Sequence, residues 1–82
     1  MPSSKDTNAD IIVLDVKGEQ CPMPLLKAKR ALNAMAPGEY LKVLATDRGS
    51  VRDFNVYAEL SGNILVSSEE EDGVYIHMLV KS

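Results

Sequence analysis

Ile11-Ile12-Val13-Leu14-Asp15-Val16-Lys17-Gly18-Glu19-Gln20-Cys21-Pro22-Met23-Pro24-Leu25-Leu26 is the stretch on which the fold turns. Its first six residues are mostly β-branched and apolar, and Gly18 closes the run, so it reads as a strand, well buried. Two prolines then bracket Met23, and proline suits the first turn of a helix, where its missing N–H costs nothing. From there Leu25, Ala28, Leu32 and Met35 recur at helical spacing, with Lys27, Lys29 and Arg30 on other faces, up to a stop at Pro37-Gly38. A strand thus hands over to an amphipathic helix, and a cysteine sits at the junction.

Beyond this stretch, Tyr40 to Ala45 alternates as a second strand, and Thr46-Asp47-Arg48-Gly49-Ser50 is turn chemistry. Ser50 is placed to cap a second helix, with Asp53 in its first turn. Val51, Phe54 and Ala58 share one face of that helix, Val56 and Leu60 lie opposite, and Ser61-Gly62-Asn63 ends it. Ile64 to Ser67 reads as a third strand, Glu70-Glu71-Asp72-Gly73 as a hairpin turn, and Val74 to Val80 as the last strand. The order is β-α-β-α-β-β, an α/β two-layer sandwich. Strands joined through helices are parallel with right-handed crossovers, which puts both helices on one face of a mixed sheet.

The Pro/Ser/Asn/Asp-rich residues 1–10 read as a disordered tail, and residues 11–82 as a single domain. With 82 residues, 45% of them hydrophobic, the chain builds a modest core and has little room for a deep pocket. Nine basic and twelve acidic residues give a net charge of −3, which speaks against autonomous nucleic-acid binding. A single cysteine excludes an internal disulfide, a Cys-x-x-Cys redox pair and a cysteine-rich zinc site. No run reaches the ~18 apolar residues of a membrane span, and the start lacks the pattern of a signal peptide, so a cytoplasmic protein is expected.

The chemistry then converges on Cys21. At the mouth of a helix, the macrodipole and free first-turn donors such as the Met23 N–H favour thiolate over thiol, so its pKa is expected below the usual value of about 8.5. Pro22 and Pro24 stiffen the chain beside the sulfur. The competing reading makes Pro-x-Pro a mere helix start and Cys21 a small structural residue, which explains the prolines but not the cysteine. Asp47, Arg52 and Asp53 fall near the start of the second helix, where capping and first-turn electrostatics account for them. Lys27, Lys29 and Arg30 read as a solvated helix face able to steer an acidic partner.

His77, the only histidine, shares a strand face with Tyr75 and Leu79. With no neighbouring cysteine it reads as a surface or packing residue rather than a metal ligand. Val74, Ile76, Met78 and Val80 are assigned to the helix-covered face, and His77 with Tyr40, Lys42 and Leu44 to the open one. That open face, with several large apolar groups, reads as an interaction surface. Glu69-Glu70-Glu71-Asp72 is assigned to a solvated hairpin.

Leu14-Asp15 before Gly18, then Cys21-Pro22-Met23-Pro24, Pro37-Gly38-Glu39, and Asp47 with Arg52-Asp53 together resemble the TusA/SirA-like sulfur-carrier family, over roughly residues 12 to 81. The resemblance implies a sheet of order 1-2-4-3 with two helices on one face, similar to the C-terminal domain of translation initiation factor three. It implies that Cys21 accepts sulfane sulfur as a persulfide from a cysteine desulfurase or another donor protein and passes it to an acceptor protein. One branch of the family leads to 2-thiouridine in transfer RNA; molybdenum-cofactor enzymes, selenium metabolism and sulfur oxidation are other destinations. No metal or organic cofactor is expected. Met23, Lys29, Asp47, Arg52 and Asp53 then belong to the partner-facing surface. Met23 stands where the transfer-RNA branch typically has an acidic residue, and Arg48 and Asn55 stand where prolines are common. The rival from another class is a non-catalytic adaptor that binds a partner through the open sheet face.

Overall fold

A computed structural model describes residues 11–82, so the expected tail at residues 1–10 lies outside the described residues. The elements are β1 (Ile11–Val16), α1 (Met23–Asn33), β2 (Tyr40–Ala45), α2 (Ser50–Ser61), β3 (Ile64–Glu71) and β4 (Val74–Val80). The four strands form one sheet of order β1-β2-β4-β3. β1 runs parallel to β2, and β4 pairs antiparallel with both β2 and β3. This is the mixed sheet and strand order expected.

The core lies between the sheet and the two helices. Val16 of β1, Leu41, Val43 and Ala45 of β2, Leu79 of β4, Ala28 and Leu32 of α1, and Phe54 of α2 are completely buried. The core follows the centre of the sheet, which corrects the expectation for β1. That strand is an edge with a single neighbour, and only Val16 is buried, whereas Val13 is 59% exposed. A run of β-branched residues marks a strand but does not tell an edge from a centre.

Four further expectations change on contact with the packing. α1 ends at Asn33 rather than at Pro37-Gly38. The chain leaves it through tighter turns, Ala34 N–H to Ala31 O and Met35 N–H to Leu32 O, which keep Met35 in the core beyond the helix. Gly49, not Ser50, holds the N-cap position of α2. β3 runs on to Glu71, because Ser68 to Glu71 pair with His77 to Val74, so the acidic run is strand and not turn. The reversal falls on Asp72-Gly73, both at positive φ (52° and 84°), the requirement of a tight two-residue hairpin. Between Leu65 and Ser67 the register slips by one residue, a bulge on an edge strand.

The fourth correction concerns the faces of β4. His77 and Leu79 point toward the helices, not away from them, and both are fully buried. Register decides it: His77 is opposite Val43 and Leu79 opposite Leu41, the inward residues of β2. Ile76, Met78 and Val80 are therefore the ones that join Leu44, Lys42 and Tyr40 on the open face. Strict alternation defined the two sets but could not say which faced inward. His77 is accommodated because every polar atom of its ring is met. Nε2 lies 2.9 Å from Ser50 Oγ, Nδ1 lies 2.8 Å from Ser68 Oγ, and the ring packs edge-on against Phe54 with centroids 4.5 Å apart. The Ser50 hydroxyl, expected to cap, is spent here.

Two measurements follow from this core. Phe54→Ala should cost about 3–5 kcal/mol in urea unfolding, as a buried aromatic whose site cannot collapse fully. Burial lowers the His77 pKa from 6.5 to about 4, so the ring is neutral in the folded protein. The unfolded chain binds the extra proton first. Stability from His77 is thus whole above pH 6.5 and lost as pH falls through that window toward 4. His77→Gln should flatten this part of the stability profile; equal slopes for both proteins would show that the ring is not held neutral.

Candidate active site

Because β1 and β2 are parallel neighbours, with Val16 opposite Ala45, their C-terminal ends open at the same edge of the sheet. The β1–α1 loop, carrying Cys21, and the β2–α2 loop, carrying Asp47, are thus neighbours. Thr46 ties them together, its Oγ1 accepting the Gly18 N–H at 2.8 Å. Gly18 has φ +84°, a conformation that resists a side chain. An open groove of about 280 Å³ lies between the loops, lined by Gly18, Glu19, Gln20, Thr46, Asp47 and Arg48. Ligands of open α/β sheets settle at such carboxyl ends of parallel strands.

Cys21 lies in the turn just before α1, is exposed, and is a free thiol. Pro22 holds the N-cap position and Pro24, buried, anchors the first turn against the core. The Met23 N–H, expected to be free to face the sulfur, is instead donated to Gln20 O at 2.9 Å. What meets the sulfur is a carboxylate. The Cys21 thiol donates to Asp53 Oδ2 at 3.1 Å, and Sγ with one oxygen each of Asp47 and Asp53 lie within 4.8 Å of one another.

This environment reverses the expected direction of the thiol pKa. The hydrogen bond to Asp53 raises it, partial desolvation and the charges of Asp53 and Asp47 add to the rise, and Arg52 opposes them. The helix mouth alone favours thiolate, but the side chain that α2 brings to it bears a negative charge. A thiol and two carboxylates are also donor types that a cation accepts. Here, though, Asp53 is engaged by the sulfur itself.

Of the residues named from sequence, Cys21, Asp47 and Asp53 form the cluster, with Arg52 exposed beside it. Met23 is 41% exposed two residues from the sulfur, and Lys29 is exposed farther along α1. The contact from Asp53 to Cys21 was not legible in sequence, where Asp53 looks like a first-turn electrostatic residue. The parallel pairing of β1 and β2 is the signal from which it was within reach. Gly49 fits here too, since a Cβ at that position would stand 3.3 Å from Asp47 Oδ2.

Fold and site together define a small two-layer α/β domain with an exposed cysteine on the loop between its first strand and first helix. Comparison with known proteins narrows it: the family described as Sulfurtransferase TusA matches residues 12–81, and the chain belongs to that family. A sulfur carrier protein TusA of Allochromatium vinosum is 52% identical over 68 residues, covering 83% of this chain and 88% of its own length. One from Pseudomonas paraeruginosa is 36% identical over 69 residues, covering 84% and 87%. The crystal structure of a SirA-like protein from Desulfitobacterium hafniense superposes with a TM-score of 0.75 at 31% identity, covering 84% of this chain and 95% of that one. The protein is of the TusA sulfur-carrier type.

The geometry gives a direct expectation for the thiol. Cys21 should be alkylated by iodoacetamide in the native protein without denaturant, since it is exposed. The rate should rise with pH along a curve displaced above that of free cysteine, because Asp53 and Asp47 hold the proton on sulfur. A curve at or below that of free cysteine would mean that the helix terminus outweighs the carboxylates.

Proposed function

We propose that this protein carries sulfane sulfur as a persulfide on Cys21, taking it from a donor protein and handing it to an acceptor protein. The observation that carries the reading is the position of Cys21. It is an exposed, single thiol on a loop fixed by two prolines and by the Gly18–Thr46 tie, in a chain of the TusA family. The chemistry balances without a cofactor. Cys21 sulfur attacks the terminal sulfur of a donor persulfide, the donor's S–S bond breaks, and the donor's thiol is restored with the proton that Cys21 gives up. In delivery the acceptor's thiolate repeats the attack on the sulfur now held by Cys21.

A lone thiol suits this role, since no second cysteine is present to discharge the persulfide as an internal disulfide. Exposure of Cys21 also weighs against the adaptor reading in which it serves only as a structural residue, because it is not part of the core. Donor and acceptor meet the sulfur over the surface formed by Met23, Asp47, Arg52 and Asp53. A cysteine desulfurase is the first donor to test, and transfer-RNA thiolation is one pathway the delivered sulfur would serve. Such relay work between soluble proteins fits a cytoplasmic setting, and among the described residues no helix is long and apolar enough to cross a membrane.

Incubation with a cysteine desulfurase and cysteine, without reductant, should add about 32 Da, one sulfur, to the intact mass. Dithiothreitol should remove it and Cys21→Ala should abolish it. Absence of the adduct with several desulfurases and with sulfane-sulfur donors such as polysulfide would overturn the proposal.

A further inference from the structure

The hydrogen bond between Cys21 and Asp53 sets a problem that the carrier reading, on which this inference rests, does not answer. A nucleophile is normally placed beside a group that removes its proton, yet here the neighbours are anions that keep it. The charged groups that act on the sulfur, or line the groove beside it, come from three segments. α2 contributes Asp53 and Arg52, and the β2–α2 loop contributes Asp47 and Arg48. The β1–α1 loop contributes Glu19, already paired with Lys27 at 2.7 Å. Among the described residues the ion pairs are Lys17–Asp15 and Lys27–Glu19, and neither Asp47 nor Asp53 is a member of one. Asp47 Oδ2 is shielded from solvent and has no hydrogen-bond partner among the described residues, an arrangement that leaves a carboxylate oxygen unmet at the edge of the site.

We propose that Asp53 is a positioning residue that holds Cys21 as a guarded, neutral thiol in the free protein, and that a basic side chain of the docking partner releases it by pairing with the Asp47 and Asp53 carboxylates. In the free protein the thiol proton stays on sulfur, since ionising it would set a third negative charge within 4.8 Å of the other two. A sulfur so held reacts slowly with stray electrophiles and oxidants while remaining exposed to partners. When a cation neutralises the carboxylates, the thiol proton passes to solvent water and the thiolate forms beside the incoming persulfide, whose departing thiolate takes up a proton in turn. The partner chemistry is thereby specified: a lysine or arginine near its own sulfur-bearing cysteine.

The experiment is the pH profile of iodoacetamide alkylation of Cys21 in the folded wild-type protein and in Asp53→Asn, Asp53→Lys and Asp53→Glu, with far-ultraviolet circular dichroism checking the fold of each. Asp53→Asn should react severalfold faster at neutral pH with a midpoint moved downward. Asp53→Lys, which supplies the cation within the chain, should move it further down, and Asp53→Glu should stay on the wild-type side. Asp47→Asn should shift it in the same direction by less. An unmoved or upward midpoint in Asp53→Asn, or a lysine variant no more reactive than the asparagine one, would overturn the proposal. The assay needs no sulfur donor, so it separates failure of the guard from failure of the carrier: the former leaves alkylation unchanged, the latter leaves the persulfide mass absent.

Discussion

Parallel pairing of β1 with β2 is the constraint from which the rest of this structure follows. Parallel strands end at the same edge of the sheet, so the loops leaving Val16 and Ala45 must lie side by side. One loop supplies the cysteine and starts α1; the other supplies Asp47 and starts α2, which carries Asp53. With antiparallel pairing the same residues would stand at opposite ends of the sheet, and no cluster would form. The right-handed crossover that parallel pairing requires also sets both helices on one face, leaving the other open.

That arrangement divides the labour between the two ends and two faces of the molecule. The helix-covered face holds the apolar core together with one polar device, the Ser50–His77–Ser68 contacts, which satisfy a buried imidazole against Phe54. Ser50 links this device to the site, as its backbone N–H is donated to Asp47 O at 3.1 Å. The loop that positions Asp47 is therefore fastened to the interior of the sheet, and the carboxylate next to the sulfur is not a floating surface charge. The electrostatics of the cysteine are a property of α2 as much as of α1.

Much of the fold was legible because it depends on local chemistry. The β-branched run at Ile11–Val16, the prolines at 22 and 24, the alternation of Tyr40–Ala45 and the Gly62 terminator each act through neighbours in sequence, and each element lies where its pattern put it. The misreadings share a cause. Alternation in β4 separates His77 and Leu79 from Ile76 and Met78 but cannot orient the strand; the register with Val43 and Leu41 does that. The burial expected for β1 failed because edge or centre is a matter of strand order. Glu69 to Glu71 look like a turn by composition, and pairing with β4 draws them into a strand instead.

For the site, residue type and order were enough to single out the candidate atom: one sulfur, at a strand-to-helix junction, stiffened by proline, in a sequence with no second thiol to pair it. These follow from residue type and order along the chain. The surroundings of that sulfur are a matter of packing. Helix-terminus reasoning along the chain favours thiolate, whereas Asp53, thirty-two residues away, accepts a hydrogen bond from the thiol and holds its proton in place. Coulomb interactions and hydrogen bonds depend on distance in space, and the distance between Cys21 and Asp53 is set by the packing of α1 and α2 over the sheet, not by either segment alone.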